Sequence, residues 1–254
     1  MSDILVHAES GVFTITFNRP QRKNSITAAM YAALADALEA ARADEAVRVV
    51  VFQGNETVFS AGNDIADFLE TPPSSHDAPV FRFLRALAGF PKPVVAAVCG
   101  PAVGIGTTML LHCDLVYAGD NAMFSLPFVN LGLCPEAASS LLLPRLLGHQ
   151  RAAEALMLGE PFMAEAALEV GLVNRVVPPS EAAALAQAQA RKLAAKPRTS
   201  LQETKRLMKQ GQAALVAQQM QEEGAIFGRM LTEPAAKEAF GAFLDKRKPD
   251  FSRV

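Results

Sequence analysis

The chain has 254 residues, of which 50% are hydrophobic and 20% are charged, and its formal net charge is −2. This length and composition fit one large domain, or one domain with a small appendage, and argue against a disordered chain. The charge balance shows no basic excess that would indicate binding to nucleic acid or to an anionic membrane surface. Three cysteines in apolar runs indicate buried free thiols in a reducing compartment, and no histidine or cysteine spacing indicates a metal site.

The first ten residues and the longest apolar stretch predict a cytoplasmic protein. The first ten residues contain Asp3 and Glu9 and lack the basic start and apolar run of a secretory signal. The longest apolar stretch, 93–111, is interrupted by glycines and a proline, which makes it a poor membrane span.

The first half of the chain alternates between strand and helix patterns. Residues 4–8 and 12–17 have alternating polarity around a Gly-containing turn, which predicts a β-hairpin with Phe13, Ile15 and Phe17 on one face. Thr27 is the expected N-cap of a helix that runs to about Arg42. Continuous β-branched or apolar runs predict buried strands at 47–52, 94–98 and 115–117, and helical patterns lie near 78–88, 105–112 and 137–147. The alternation indicates an α/β fold with parallel β–α–β units.

The last part of the chain lacks strand patterns. Beyond about residue 178, Ala-rich segments predict helices at 180–195, 198–209, 211–230 and 234–246. We therefore expect a core over 1–190 and a helical subdomain over 191–254. The apolar stripes of these helices fit either ordinary core packing or a subunit interface.

Two glycine-bearing segments stand where a predicted strand gives way to a helix. They are 59–65, Phe-Ser-Ala-Gly-Asn-Asp-Ile, and 99–106, Cys-Gly-Pro-Ala-Val-Gly-Ile-Gly. Free N–H groups at helix N-termini favour negative charge, but neither segment has the ending of a phosphate-binding loop or a dinucleotide fingerprint. Tight packing between strand and helix would explain either segment taken alone.

Six motifs in order give a more specific signal. They resemble the pattern of the crotonase (enoyl-CoA hydratase/isomerase) superfamily over nearly the whole chain, and most closely that of peroxisomal-type Δ3,Δ2-enoyl-CoA isomerases. The motifs are Asn18-Arg19-Pro20 with Asn24, 59–65, 91–98, Ala102-Val103-Gly104 with Gly106, Cys113-Asp114, and 164–173.

The resemblance implies a fold, an assembly and a substrate. Family members form a ββα superhelix with two sheets and a C-terminal helical trimerisation subdomain, so a homotrimer or a dimer of trimers is expected. The substrate would be an acyl-CoA, and no separate cofactor is expected because coenzyme A is part of that substrate. By position, the thioester oxygen would lie between the backbone N–H groups of Ala61 and Ile105, the latter standing where many members have glycine.

The resemblance also implies which residues contact the substrate and its coenzyme A portion. Those positions are Lys23, Ala61, Gly62, Asn63, Asp64, Ile65, Phe68, Gly104, Phe128, Phe243 and Lys246.

The acid–base residues decide which reaction is expected. Hydratases of the family use two glutamates, and the matching positions here hold Thr108 and Phe128, which cannot titrate. Glu136 lies in an apolar segment that resembles the isomerase subgroup, where a glutamate at this place is catalytic. One carboxylate suffices to move a proton from C2 to C4 of a 3-enoyl-CoA. We therefore expect an enoyl-CoA isomerase.

Several alternatives stay open at this level. Glu136 follows a proline near a predicted helix start, where an acid commonly complements the helix dipole. The chain could instead catalyse hydration or thioester hydrolysis, or bind acyl-CoA without turnover.

Overall fold

The structure, a computed structural model, describes residues 2–70, 73 and 77–254, apart from the side chain of Arg253. Its strands form a six-stranded sheet in the order β1-β2-β3-β4-β6-β9 and a three-stranded sheet in the order β5-β7-β8. Only the pairs β1–β2 and β7–β8 among those described are antiparallel. The strands are β1 Ile4–Glu9, β2 Val12–Phe17, β3 Val49–Gln53, β4 Val94–Val98, β5 Pro101–Val103, β6 Leu115–Gly119, β7 Met123–Ser125, β8 Phe162–Met163 and β9 Arg175–Val177.

Helices connect and cover these strands. The α-helices are α1 Ala28–Ala43, α2 Ile65–Glu70, α3 Pro79–Ala88, α4 Ile105–Thr108, α5 Ser139–Leu147, α6 His149–Ala153, α7 Ala164–Glu169, α8 Pro179–Ala194, α9 Arg198–Met230 and α10 Pro234–Leu244. Short 3-10 turns occupy Pro20–Arg22, Met109–His112, Val129–Leu131 and Phe251–Arg253, and a π-helical turn occupies Glu154–Leu158.

The central strands β3 and β4 of the six-stranded sheet are buried on both faces, as their β-branched runs predicted. One face of β3, with Val50 and Phe52, belongs to the main core beneath α1 and α3. The other face, with Val49 and Val51, packs with the small alanines of α8. Successive side chains of a strand point to opposite faces, so covering both faces requires an apolar residue at every position.

The predicted hairpin and the first helix are confirmed. β1 and β2 pair with Ile4 opposite Phe17, and Ile15 and Phe17 are buried in the core. The side chain of Thr27 accepts a hydrogen bond from Met30 N at 3.2 Å, which is the expected N-cap of α1.

The C-terminal helices differ from the prediction in two respects. The segments 198–209 and 211–230 form one helix of 33 residues, α9. Gly211 lies inside it with open space around its α-carbon, and a glycine in an exposed helix interior costs only about 1 kcal/mol. The division expected at residue 190 falls inside α8, whose buried residues include Ala186 and Ala190 and pack on the sheet. No helix among the described residues combines the length and apolar character needed to cross a membrane.

A buried ion pair fastens α9 to the edge of the core. Lys205 Nζ lies 2.6 Å from Asp114 Oδ2 and also donates to Lys92 O at 2.7 Å. Asp114 Oδ2 in turn accepts from Val94 N at 2.8 Å, so the pair joins α9 to the start of β4. Both side chains are largely shielded from solvent, with exposed fractions of 6% and 14%.

Removing one partner of this pair should destabilise the fold. Lys205→Met leaves the Asp114 carboxylate without its cation, and breaking buried pairs in this way costs about 3–5 kcal/mol. Urea unfolding followed by circular dichroism measures the loss. Arg206→Met, one residue along on the exposed face of α9, is the matched control and should leave the midpoint nearly unchanged. Equal midpoints for Lys205→Met and the wild type would contradict this role.

Candidate active site

The two glycine-bearing segments lie side by side in the fold. Ser60 and Ala102 form a parallel bridge, and Val103 N donates to Ser60 O at 2.9 Å. Gly62 has a φ of +87°, and a Cβ at this position would lie 2.9 Å from Val103 O. Both the backbone angle and the close approach require glycine here. The segment that follows β3 and the segment that begins α4 therefore form one backbone surface.

The N–H groups of Asn63 and Ile105 on this surface lack a protein acceptor among the described residues. In the part of the chain that the structure describes, neither Asn63 N nor Ile105 N donates a hydrogen bond to protein. Ala61 N, in contrast, donates to Lys23 O at 2.9 Å, and Gly62 N donates to Ser60 Oγ at 3.2 Å. The expected use of the Ala61 N–H is therefore not compatible with this structure, because that group already has an acceptor. Asn63, two residues further on, has the free N–H group.

Asp64 has a structural role beside these groups. Arg19 Nη1 lies 2.6 Å from Asp64 Oδ2, and Ser25 Oγ donates to the same oxygen at 3.1 Å. The other oxygen accepts from Asp67 N at the start of α2. Burial alone would raise the pKa of Asp64, but the bonds from Arg19, Asp67 N and Ser25 outweigh it and lower the pKa. This carboxylate anchors the loop from β3 to α2.

Glu136 is a buried acid that contacts α4, the helix that begins at the same backbone surface. Its side chain is only 8% exposed, and Thr108 Oγ1 donates to Glu136 Oε1 at 3.4 Å. Thr108 lies three residues after Ile105 in α4, which is less than one helical turn. Burial is the main cause that raises the pKa of Glu136 to about 7, the charge of Glu223 adds to it, and the Thr108 bond opposes it. A pKa near neutrality suits a group that both takes and returns a proton.

The alternative role for Glu136, an acid that only complements the dipole of the helix α5, loses its main support. The N-terminus of α5 does have a carboxylate partner, but that partner is Glu223, which accepts from Ser140 N at 3.0 Å. Glu136 uses its backbone carbonyl, which accepts from Ser139 N at 3.0 Å. The Glu136 side chain is thus directed to Thr108 and not to the end of the helix.

An apolar cavity of about 650 Å³ opens in front of Glu136. It lies between α3 and α9, and Glu136 is the one carboxylate among its described lining residues. His112 also lines the cavity, but its Nε2 donates to Ala137 O at 2.8 Å and burial is the main cause that lowers its pKa to about 4. His112 is therefore neutral at pH 7. Lining residues also include Phe68, Phe81, Leu84, Val216, Met220 and Phe227.

Tyr31 joins the loop of Asn63 to the neighbourhood of the acid. Its hydroxyl donates to Asn63 Oδ1, and burial together with the charge of Glu136 raises its pKa well above the usual value. Sequence patterns gave no signal for this role, because Tyr31 lies on the apolar face of an amphipathic helix and looks like ordinary core. The same holds for His112.

The remaining predicted contact residues divide into two groups. Gly104, with a φ of +54°, precedes Ile105 and belongs to the backbone surface, and Phe68 lines the cavity against Phe227. The others do not line the cavity: Phe128 is packed in a second core cluster, Ile65 borders that cluster, and Lys23, Phe243 and Lys246 are exposed.

Metal-ligating side chains do not cluster in the described part of the chain, where no group of three or more His, Cys, Asp or Glu could hold an ion. The three cysteines are free and wholly or partly buried, and burial is the main cause that raises the pKa of Cys113 to about 12.

Comparison with known proteins matches this chain to a family. The family model described as enoyl-CoA hydratase/isomerase matches residues 7–253. Enoyl-CoA delta isomerase 2 of Rattus norvegicus is 44% identical over 183 residues, which are 70% of this chain and 46% of that protein, so the match spans about half of the relative. The 2,3-dehydroadipyl-CoA hydratase of Escherichia coli is 34% identical over 253 residues, 99% of each chain.

A solved structure agrees with these matches. The structure of OdaA from Pseudomonas aeruginosa superposes with a TM-score of 0.94 at 50% identity and covers 96% of this chain and 99% of that one. The expected crotonase-like architecture, with two sheets and a C-terminal helical region, is confirmed. The chain belongs to the enoyl-CoA hydratase/isomerase family.

Proposed function

We propose that this protein isomerises 3-enoyl-CoA to 2-enoyl-CoA, with Glu136 as the group that moves the proton. The supporting observation is a single buried carboxylate, with a pKa raised to about 7, that lines an apolar cavity. It contacts Thr108 of α4, the helix that begins at Ile105 with its unpaired N–H group. The match to enoyl-CoA delta isomerase 2 supports the same reaction.

The proposed reaction needs one base and one anion site. The Glu136 carboxylate removes a proton from C2, and the electrons of that C–H bond delocalise through the C3–C4 double bond and the thioester carbonyl as a dienolate. The N–H groups of Asn63 and Ile105 hold the thioester oxygen, which replaces the expected pair of Ala61 and Ile105. Preorganised donors of this kind contribute about 3–4 kcal/mol each. Glu136, now protonated, returns the proton to C4, and the double bond lies between C2 and C3.

Hydration is less well supported because it needs a second acid. Thr108 and Phe128 stand where family hydratases have glutamates, and Glu136 is the one carboxylate among the described residues of the cavity. Glu223 is the nearest further buried carboxylate, but it does not line the cavity and its oxygens accept hydrogen bonds from Ala138 N and from Ser140. It is therefore not available to activate water.

The isomerase proposal predicts that Glu136→Gln abolishes turnover. The amide matches the carboxylate in shape but cannot take a proton, and loss of a general base costs about 10²–10⁴-fold in rate. Conjugated-thioester absorbance measured with a 3-enoyl-CoA gives the rate. Glu165→Gln, an exposed acid of α7, is the matched control and should keep wild-type activity. Equal rates for Glu136→Gln and the wild type would refute the assigned role.

A parallel assay with crotonyl-CoA separates the alternatives. Water addition at a rate rivalling isomerisation would favour a hydratase. Binding of acyl-CoA without turnover of either substrate would favour a non-catalytic role.

The pKa of Glu136 predicts the pH dependence. The base form is needed for the first proton transfer, so kcat/KM should be low below the pKa and rise to a plateau above it. Since the pKa is about 7, the rise should be centred near pH 7 and not near the ordinary glutamate value. Initial rates measured at limiting substrate between about pH 5 and pH 9 test this prediction. A profile flat through neutrality would argue against Glu136 as the base.

A further inference from the structure

The turn that presents Glu136 has an unfavourable backbone. Ala137 and Ala138 have φ values of 59° and 56°, so two consecutive residues other than glycine are left-handed. A left-handed conformation is strained for a residue with a side chain and persists only when its surroundings hold it in place. This turn lies between Glu136 and the first residue of α5, so what holds it also fixes the direction of the Glu136 side chain.

Glu223 of α9 holds that turn from the opposite side. Its Oε2 accepts from Ala138 N at 2.6 Å, and its Oε1 accepts from Ser140 N at 3.0 Å and from Ser140 Oγ at 2.5 Å. The side chain is 4% exposed. Gln219 Nε2 donates to Ser140 Oγ at 2.9 Å, so the Ser140 hydroxyl is free to donate to Glu223. Burial raises the pKa of Glu223, and the hydrogen bonds from Ser140 and Ala138 N oppose that rise. Because the two backbone N–H groups can only donate and the Ser140 hydroxyl donates as well, this arrangement favours the carboxylate form of Glu223.

We propose that Glu223 is a positioning residue for Glu136: its carboxylate fixes the left-handed turn that aims the acid, and its negative charge favours the protonated acid. This inference rests on the proposed function, because it assigns a second buried carboxylate to the same reaction. It also explains why a buried charge is retained in the long helix, although Glu223 touches neither the cavity nor any cation among the described residues.

The charges around Glu136 support the electrostatic part of the proposal. Glu223 is the ionised group whose charge raises the pKa of Glu136, after burial itself. Three further titratable groups nearby are neutral at pH 7: Tyr31 on α1 and Cys134, which have raised pKa values, and His112, whose pKa is lowered to about 4. The cation Arg85 of α3 also lines the cavity, and its Nη2 lies 3.7 Å from Asp77 Oδ1. Lys209 of α9 lines the same cavity, but its Nζ donates to His112 O at 3.0 Å.

The variant Glu223→Gln distinguishes two roles of Glu223: positioning Glu136 and acting on it by charge, or only stabilising the fold. The amide retains the size of the side chain and one acceptor oxygen but removes the charge. We expect kcat to fall about 10- to 100-fold with KM nearly unchanged, as for a misaimed catalytic group. We also expect the pKa of Glu136 to fall by roughly half a unit to one unit, because a like charge is removed. Glu222→Gln, an exposed acid one residue away on α9, is the matched control and should change neither quantity.

The pKa is measured without substrate, by carbon-13 NMR titration of protein labelled at the glutamate carboxyl carbon, with Glu136→Gln used to assign the signal. This readout stands even if the wild type fails to turn over a 3-enoyl-CoA, so failure of the proposed function and failure of this inference are distinguishable. An unchanged titration of Glu136 in folded Glu223→Gln would overturn the electrostatic role.

Glu223→Asp provides a second test if the Gln variant does not fold. It keeps the charge but shortens the side chain, so the titration of Glu136 should stay near that of the wild type while kcat falls. Wild-type kcat in folded Glu223→Asp would overturn the positioning role.

Discussion

The burial of one ionisable carboxyl group shapes the site described above. Taking Glu136 out of water disfavours its charged form, and the neighbouring charge of Glu223 acts in the same direction. The single hydrogen bond from Thr108 offsets only part of this effect. The result is an acid with a pKa of about 7, in a cavity lined mainly by apolar side chains. A group in this condition gains or loses a proton at little cost, which is the property that a proton shuttle requires.

The fold places this group by joining distant parts of the chain. The segments after β3 and β4 supply the unpaired N–H groups, α4 carries Thr108 within one turn of Ile105, and α9 contributes one wall of the cavity. Glu223 lies on that same helix and holds the turn after Glu136. The buried pair of Lys205 and Asp114 fixes the start of α9 against the sheet, so one helix links the stability of the core to the geometry of the acid.

The sequence predicted those features that depend on local pattern. The hairpin, the doubly buried strands and the Thr27 cap follow from period and capping chemistry, and Glu136 was selected as an acid in an apolar segment. Free and bonded N–H groups cannot be distinguished in this way, because the acceptor of Ala61 N is a carbonyl 38 positions earlier, at Lys23. The donor that we propose, Asn63 N, therefore lies two residues after the predicted one. Glu223 gave no signal, since a charge on a long helix is normally solvated, and its burial depends on packing against a turn 85 residues away.

The central claim is that one shielded carboxyl group both removes and returns the proton. Its most direct test uses a 3-enoyl-CoA carrying deuterium at C2, converted in ordinary water and analysed by NMR at low conversion. Because Glu136 is only 8% exposed, it should keep part of the label long enough to deliver it. The account predicts a product with deuterium at C4 from the first turnovers. A product whose C4 position takes its hydrogen entirely from solvent would contradict it.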